Sequence, residues 1–292
     1  MLAFVLIVNS FVVFGQNKTQ VNILNRTPGN LKDALSGYDI TKIETLTVSG
    51  PINANDYILI LFNMKELREL DLSKAKIVAC KFENPYIKFL TPMYYKGPAN
   101  TLTFGFRIME SVRTEKEPAS RKLEKIVLPE SLKIIEDGFF DGKMDDYKLL
   151  RGKVNLPPKL EYIGLSVFSG SEISYALPFP KSLEFLGSGR VCIDGELELP
   201  RKLKYFNRAA FESPGVNRYA LSKGKSAFTE IDGVLFTKDR KTLVAFPQGR
   251  AGSYKIPEFV KEIGPGAFFN SQGLKEVLFN VFTTSYYSII CK

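Results

Sequence analysis

The sequence predicts an α/β repeat: a solenoid of short stacked coils with a parallel sheet on one face, irregular or 3₁₀ returns on the other, and an inserted β-hairpin. Three observations carry that prediction. Pro129, Pro157, Pro180, Pro200 and Pro257 sit in matching surroundings. Apolar residues recur at fixed offsets from each of them, and small residues, mostly glycine, recur between those offsets. A fixed period of this kind marks a fold whose units bury their apolar sides only by stacking on one another.

The offsets justify each part of a coil. Three before the anchors stand Ile126, Val154, Leu177, Leu197 and Tyr254, and one before them Leu128, Leu156, Phe179, Leu199 and Ile256. Two apolar residues with one between them make a short strand with one buried face. The proline then marks the strand exit, where a missing N–H does not break a ladder. Three after the anchors come Leu132, Leu160, Leu183, Leu203 and Val260; six after, Ile135, Ile163, Leu186, Phe206 and Ile263. These belong to the irregular return. Seven after the anchors stand Glu136, Gly164, Gly187, Asn207 and Gly264, with Gly138, Gly189 and Gly266 two places on, as the corners of a compact coil require. Eleven after stand Phe140, Phe168, Val191, Phe211 and Phe268, which predicts a mainly phenylalanine ladder inside the return side.

Met1 to Phe14 is almost unbroken apolar sequence, shorter than the roughly 20 residues of a spanning helix. With small Gly15 at its end it reads as a secretory signal peptide over residues 1–15, which implies a secreted or cell-surface location and no membrane span in the mature chain. No Lys or Arg precedes the run, as one normally does, which leaves open a start further upstream. The solenoid then occupies 16–292. Leu46 and Val48 before Ser49, Leu70 and Leu72 before Ser73, and Leu102 and Phe104 before Gly105 repeat the strand pattern without proline. Asn55 to Met64 reads as a helix capped by Asn53 or Asn55, with Tyr57, Leu61 and Met64 on one side. Phe228 to Gly249 reads as two strands joined at Lys238 to Lys241. After Leu274, Val277 and Phe279 the pattern lapses, so Asn280 to Lys292 is expected to be an improvised cap, an oligomer contact or a truncated end.

Leu128 to Phe140, LPESLKIIEDGFF, and Ile256 to Phe268, IPEFVKEIGPGAF, resemble the BspA-like bacterial surface leucine-rich repeats abundant in Bacteroidetes. Lys65 to Ile77, KELRELDLSKAKI, looks like the amino-terminal coils of such proteins, so the resemblance covers residues 40 to 280 or so. It implies a leucine-rich-repeat fold, export or surface exposure, hairpins between coils, and, for adhesin-like members, binding of host matrix proteins or neighbouring bacteria. Fold alone does not fix function.

Composition narrows the chemistry. The chain has no histidine, which removes Ser-His-Asp and Cys-His nucleophiles, HExxH zinc sites and imidazole base catalysis. Asp145 with Asp146, and Glu115 with Glu117, lie in charged, loop-like sequence and read as solvated surface rather than a glycosidase pair. Gly187, Ser188 and Gly189 lack the spacing of a phosphate loop. Cys80, Cys192 and Cys291 are too scattered for a disulfide framework or zinc site. The expectation is a non-enzyme with no cofactor, no metal and no nucleic-acid partner.

Binding is the remaining class. Residues alternating with the buried strand positions point outward on the extended concave face: Lys125, Lys153, Asn155, Glu196, Glu198 and Lys255. The hairpin turn, with Lys238, Arg240 and Lys241 beside Asp239, is a second candidate. A net charge of +9 favours anionic partners. The expected partner is a host matrix or bacterial surface protein, or an anionic glycan; the alternative is a structural component of the cell surface. A glycan binder calls for exposed aromatics on one face, and the concave strip holds few.

Overall fold

The computed structural model describes residues 19–83, 94–103, 123–139, 151–167, 172–187, 194–207, 215–279 and 285–286. The leader, both carboxylate pairs, Cys192, Cys291 and four of the five residues of the predicted phenylalanine ladder lie outside them; the fifth, Phe268, is buried.

The anchor prolines show why the repeat works. In all five coils the proline carbonyl accepts the N–H of the residue three places on, Leu132, Leu160, Leu183, Leu203 or Val260, at 3.0 Å. Proline therefore opens a tight turn as an acceptor, where its missing N–H costs nothing, and the turn drives the following apolar residue into the core. All five are completely buried.

Before each turn runs a strand of the first ladder. Gln20–Leu24, Thr45–Ile52, Glu69–Asp71 and Lys125–Val127 pair in parallel. Further along, Arg151–Val154 pairs with Glu172–Tyr175, Gly195–Leu199 with Val216–Leu221, and Gly252–Lys255 with Leu274–Leu278, again in parallel. The returns correct the sequence reading. In place of irregular or 3₁₀ segments, the residues six after the anchors lie in a second parallel ladder. It runs through Thr101–Leu102, Ile134–Ile135, Tyr162–Ile163, Phe185–Leu186 and Tyr205–Phe206. Backbone satisfaction is the reason, since each buried return needs partners for its N–H groups and finds them on the coil below. Glu161 and Tyr162 both donate to the Lys133 carbonyl, and Gly164 donates to that of Ile135.

Two strand assignments shift as well. Thr101–Leu102 belongs to this second ladder, with Leu102 opposite Ile135, and not to the first. In the Pro180 coil Tyr175, opposite Val154, is the buried strand residue, while Leu177 is 37% exposed. Two extra residues separate that strand from its corner, so the fixed offset picks the wrong side chain. Leu177→Ser is accordingly expected to change stability by no more than about 0.5 kcal/mol in thermal or urea unfolding. A loss of core-residue size would restore the offset reading.

Helix is scarce, so the chain is a leucine-rich β-solenoid rather than an even α/β alternation. Among the described residues the helices are Leu31–Ala34, Ala54–Asn63 and the 3₁₀ turn Ile40–Lys42, all near the amino end. Ala54–Asn63 starts where expected: Asn53 caps it, and Asp56 completes a capping box. Tyr57, Leu61 and Met64 are buried. The segment read as two hairpin strands contains three, Phe228–Ile231, Val234–Thr237 and Thr242–Ala245, joined antiparallel in that order. The extra turn is Asp232–Gly233, both at positive φ. Thr242–Ala245 then pairs in parallel with Glu262–Ile263, which pairs with Ser285–Tyr286, so the insert hands the second ladder on to the next coil. Arg250 staples it in place. Its guanidinium lies 5.7 Å from the Phe246 ring centroid and 5.6 Å from that of Tyr254, and bonds the Asp232 carboxylate and carbonyl, each at 2.7 Å. Burial pushes the Tyr254 phenol up to about 12.

Candidate binding surface

The outward positions of the first ladder form a row of cross-strand charges. Lys125 faces Glu69 at 3.5 Å, and Glu196 meets Arg218 at 3.1 Å, with Arg218 also 3.7 Å from Glu230. Glu198 and Lys255 are exposed on strands, while Asn155 is exposed just past the end of Arg151–Val154. Lys153 lies on Arg151–Val154 opposite Ser174. Stacking thus brings Lys125 and Glu196 to partners more than 20 residues away in sequence, and the charge each offers to a ligand is partly spent on its neighbour. Exposed pairs of this kind contribute ~0–1 kcal/mol each.

At the turn of the insert, Lys238, Arg240 and Lys241 are exposed around Asp239. The Thr237 hydroxyl donates to the Asp239 carboxylate at 2.7 Å and the Lys241 N–H at 3.1 Å, and these bonds hold that carboxyl below its ordinary value. Arg240 takes a left-handed conformation, φ 64°. The Lys241 carbonyl accepts both Lys261 and Glu262 N–H groups, so the turn is stitched to the following coil.

A third surface escaped the sequence reading. On the outward side of the second ladder, Tyr162, Phe185 and Tyr205 form a stacked column: centroids 4.5 Å apart with planes 12° apart for the first pair, and 4.5 Å and 15° for the second. Parallel in-register strands put the same offset, five after the anchor, one above another, and flat rings there meet face to face. Tyr205 ends the column on the last strand of its ladder and is 45% exposed. Beside the column runs a charged row, where Lys133 meets Glu161 at 2.8 Å and Lys204 meets Glu184 at 2.6 Å. The hydrogen bond from Lys204 holds the Glu184 carboxyl below its ordinary value. The signal was present in the sequence: the residues just before the sixth offset read Ile134, Tyr162, Phe185, Tyr205 and Glu262. The column thus offers one exposed aromatic, Tyr205, with Phe185 and Tyr162 partly buried behind it.

Among the described residues no group of three or more His, Cys, Asp or Glu side chains is placed to hold a metal ion, and no helix is long and apolar enough to cross a membrane.

Comparison with known proteins places the chain. No curated protein matches it. Among solved structures it is similar to the pneumococcal vaccine antigen PcpA, at 20% identity and a TM-score of 0.45, over 83% of this chain and 46% of that one. A leucine-rich cell surface protein from Faecalibacterium prausnitzii A2-165 matches at 15% identity and a TM-score of 0.44, over 89% of this chain and 65% of that one. A leucine-rich repeat protein from Bacteroides ovatus ATCC 8483 matches at 16% and 0.44, over 87% and 54%. The chain thus spans roughly half to two thirds of their lengths. The family model for the BspA-type leucine-rich repeat region matches in six copies across 118–243 and 242–289. Those matches cover more than half of the sequence, in the same coils whose proline turns and double ladder are described above, and the protein belongs to the BspA-type leucine-rich repeat family.

Proposed function

We propose that this protein is an exported or cell-surface binding protein, without catalytic activity, that presents its repeat stack to a protein or glycan partner in an adhesive role. The observation that carries the reading is the stacking itself: equivalent outward side chains recur in register from coil to coil on two ladders, the form in which repeat scaffolds offer an extended binding surface. Membership of the BspA-type family supports a protein-interaction role at the surface over catalysis. The anionic preference rests on the net charge of +9.

The test is an array of host matrix proteins, bacterial surface proteins and glycans probed with the purified chain at two salt concentrations. Saturable binding to at least one component is expected, weakening as salt rises if the basic surface contributes. Absence of binding to every component overturns the reading in favour of a structural role at the cell surface.

A further inference from the structure

The corners that follow the prolines, next to the aromatic column, carry cations in consecutive coils. Lys159 belongs to the Pro157 coil, Lys181 to the Pro180 coil, Arg201 and Lys202 to the Pro200 coil, and Lys223 and Lys225 to the segment after it; all six are exposed. These corners touch. Ser182 Oγ donates to the Pro158 and Leu160 carbonyls at 2.9 and 2.7 Å, and the Lys204 N–H donates to the Glu184 carbonyl at 2.8 Å. The Arg201 N–H donates to Ser222 Oγ at 2.9 Å, and a Cβ on Gly224 would lie 2.8 Å from Arg201 Cδ. With about 4.8 Å between stacked strands, the cations extend over ~14 Å along the stack.

Among the described residues none of the six has a carboxylate partner, in contrast to the paired charges of the first ladder. The acids beside them, Glu161 and Glu184, are already taken by Lys133 and Lys204. The corner is therefore a net positive stripe, in which Lys202 alone among the six helps Lys204 to lower the Glu184 carboxyl, and Tyr205, the exposed end of the aromatic column, sits in the Pro200 coil beside it.

We propose that this stripe binds a linear anionic polysaccharide, whose sulfate or carboxylate groups meet the lysines and Arg201 coil by coil while a sugar ring packs on Tyr205. Regular spacing of unpaired cations suits a polymer with regularly spaced charge, since a compact anion would engage a single coil. The adjoining aromatic suits a ring with an apolar face. The inference rests on the reading of the chain as a binding scaffold and names one ligand class for it.

The probe is heparin, titrated into the full chain beside neutral dextran, double-stranded DNA and phosphatidylserine vesicles. Heparin is expected to bind with a strong salt dependence and dextran not at all. The combined change Lys181→Ala, Arg201→Ala, Lys202→Ala and Lys223→Ala is expected to weaken heparin at least tenfold or so, through lost ion contacts and counterion release. Lys74→Ala with Lys76→Ala, which removes two exposed cations from the amino-terminal coils instead, is expected to change it less than about twofold at physiological salt. Tyr205→Ala is expected to weaken it by ~5-fold with its salt dependence unchanged, as loss of a stacking contact would. Heparin binding that survives the fourfold variant, an equal loss in the Lys74 and Lys76 variant, or DNA or vesicles bound as tightly through the same residues overturns the proposal. Capture of a protein on the array without heparin binding removes this inference and leaves the scaffold reading standing; silence in both experiments removes both.

Discussion

Asp56→Ala is expected to destabilise the amino-terminal coils by about 4 kcal/mol, because one buried carboxylate satisfies three backbone N–H groups and ties the turn at Gly29 and Leu31 to the helix start at Asn53. Asp56 is 1% exposed. Its Oδ2 accepts the N–H groups of Gly29 at 2.7 Å and Asn53 at 2.9 Å, and its Oδ1 accepts that of Leu31 at 2.9 Å. Alanine strands all three donors at once, and an unsatisfied buried donor costs about 1–3 kcal/mol. It also removes an acid from the first turn of Ala54–Asn63, where negative charge is favoured. Asp56→Asn keeps the shape and one acceptor oxygen, so it is expected to cost roughly half as much. Urea unfolding of the two variants beside the wild type provides the check. An alanine variant within about 1 kcal/mol of wild type would mean that water or a shifted loop takes over the donors.

Gly187→Ala is expected to cost about 3 kcal/mol or more, as an overpacked contact with backbone that has nowhere to go. A Cβ at Gly187 would lie 2.6 Å from both the carbonyl carbon and oxygen of Gly164, and 2.7 Å from the Leu165 nitrogen. Those atoms belong to the preceding coil, and the Gly187 N–H is bonded to the Ile163 carbonyl at 2.7 Å, so separating the coils breaks the ladder bond. Gly164 repeats the situation one coil earlier, 2.5 Å from the Asp137 nitrogen. Glycine at this offset therefore serves close stacking of coils rather than an unusual turn conformation. Gly37→Ala, where the added Cβ has nothing within 4 Å, is the control and is expected to stay within about 0.5 kcal/mol of wild type. Equal midpoints for the two variants in thermal unfolding would show that the coils yield to a methyl group.

The expectations that held were those tied to burial. Leu132, Leu160, Leu183, Leu203 and Val260 were found from spacing alone, and the helix Ala54–Asn63 from its cap and its apolar side. Those that moved depended on register. Leu177 follows the offset, yet Tyr175 takes the place opposite Val154, because the two residues added between strand and corner carry the paired position two places back along the chain. The second ladder was hidden because its strands are two residues long, too short for period-2 alternation to register. Lys125, Asn155, Glu196, Glu198 and Lys255 are exposed, but sequence could not tell that Lys125 and Glu196 would be paired across strands while Lys181 and Lys202 would not.

What the sequence determined by itself is the repeat, its family and the composition of its core, because every coil must bury its apolar side against the next and so must place apolar residues at the same offsets. Only the tertiary structure decided what the surface offers. Tyr162, Phe185 and Tyr205 become a column, and Lys159, Lys181 and Lys202 a stripe, because parallel in-register stacking sets residues some 20 positions apart one strand spacing from each other. Which neighbouring charges then cancel follows from that register and from the side chains it brings into reach.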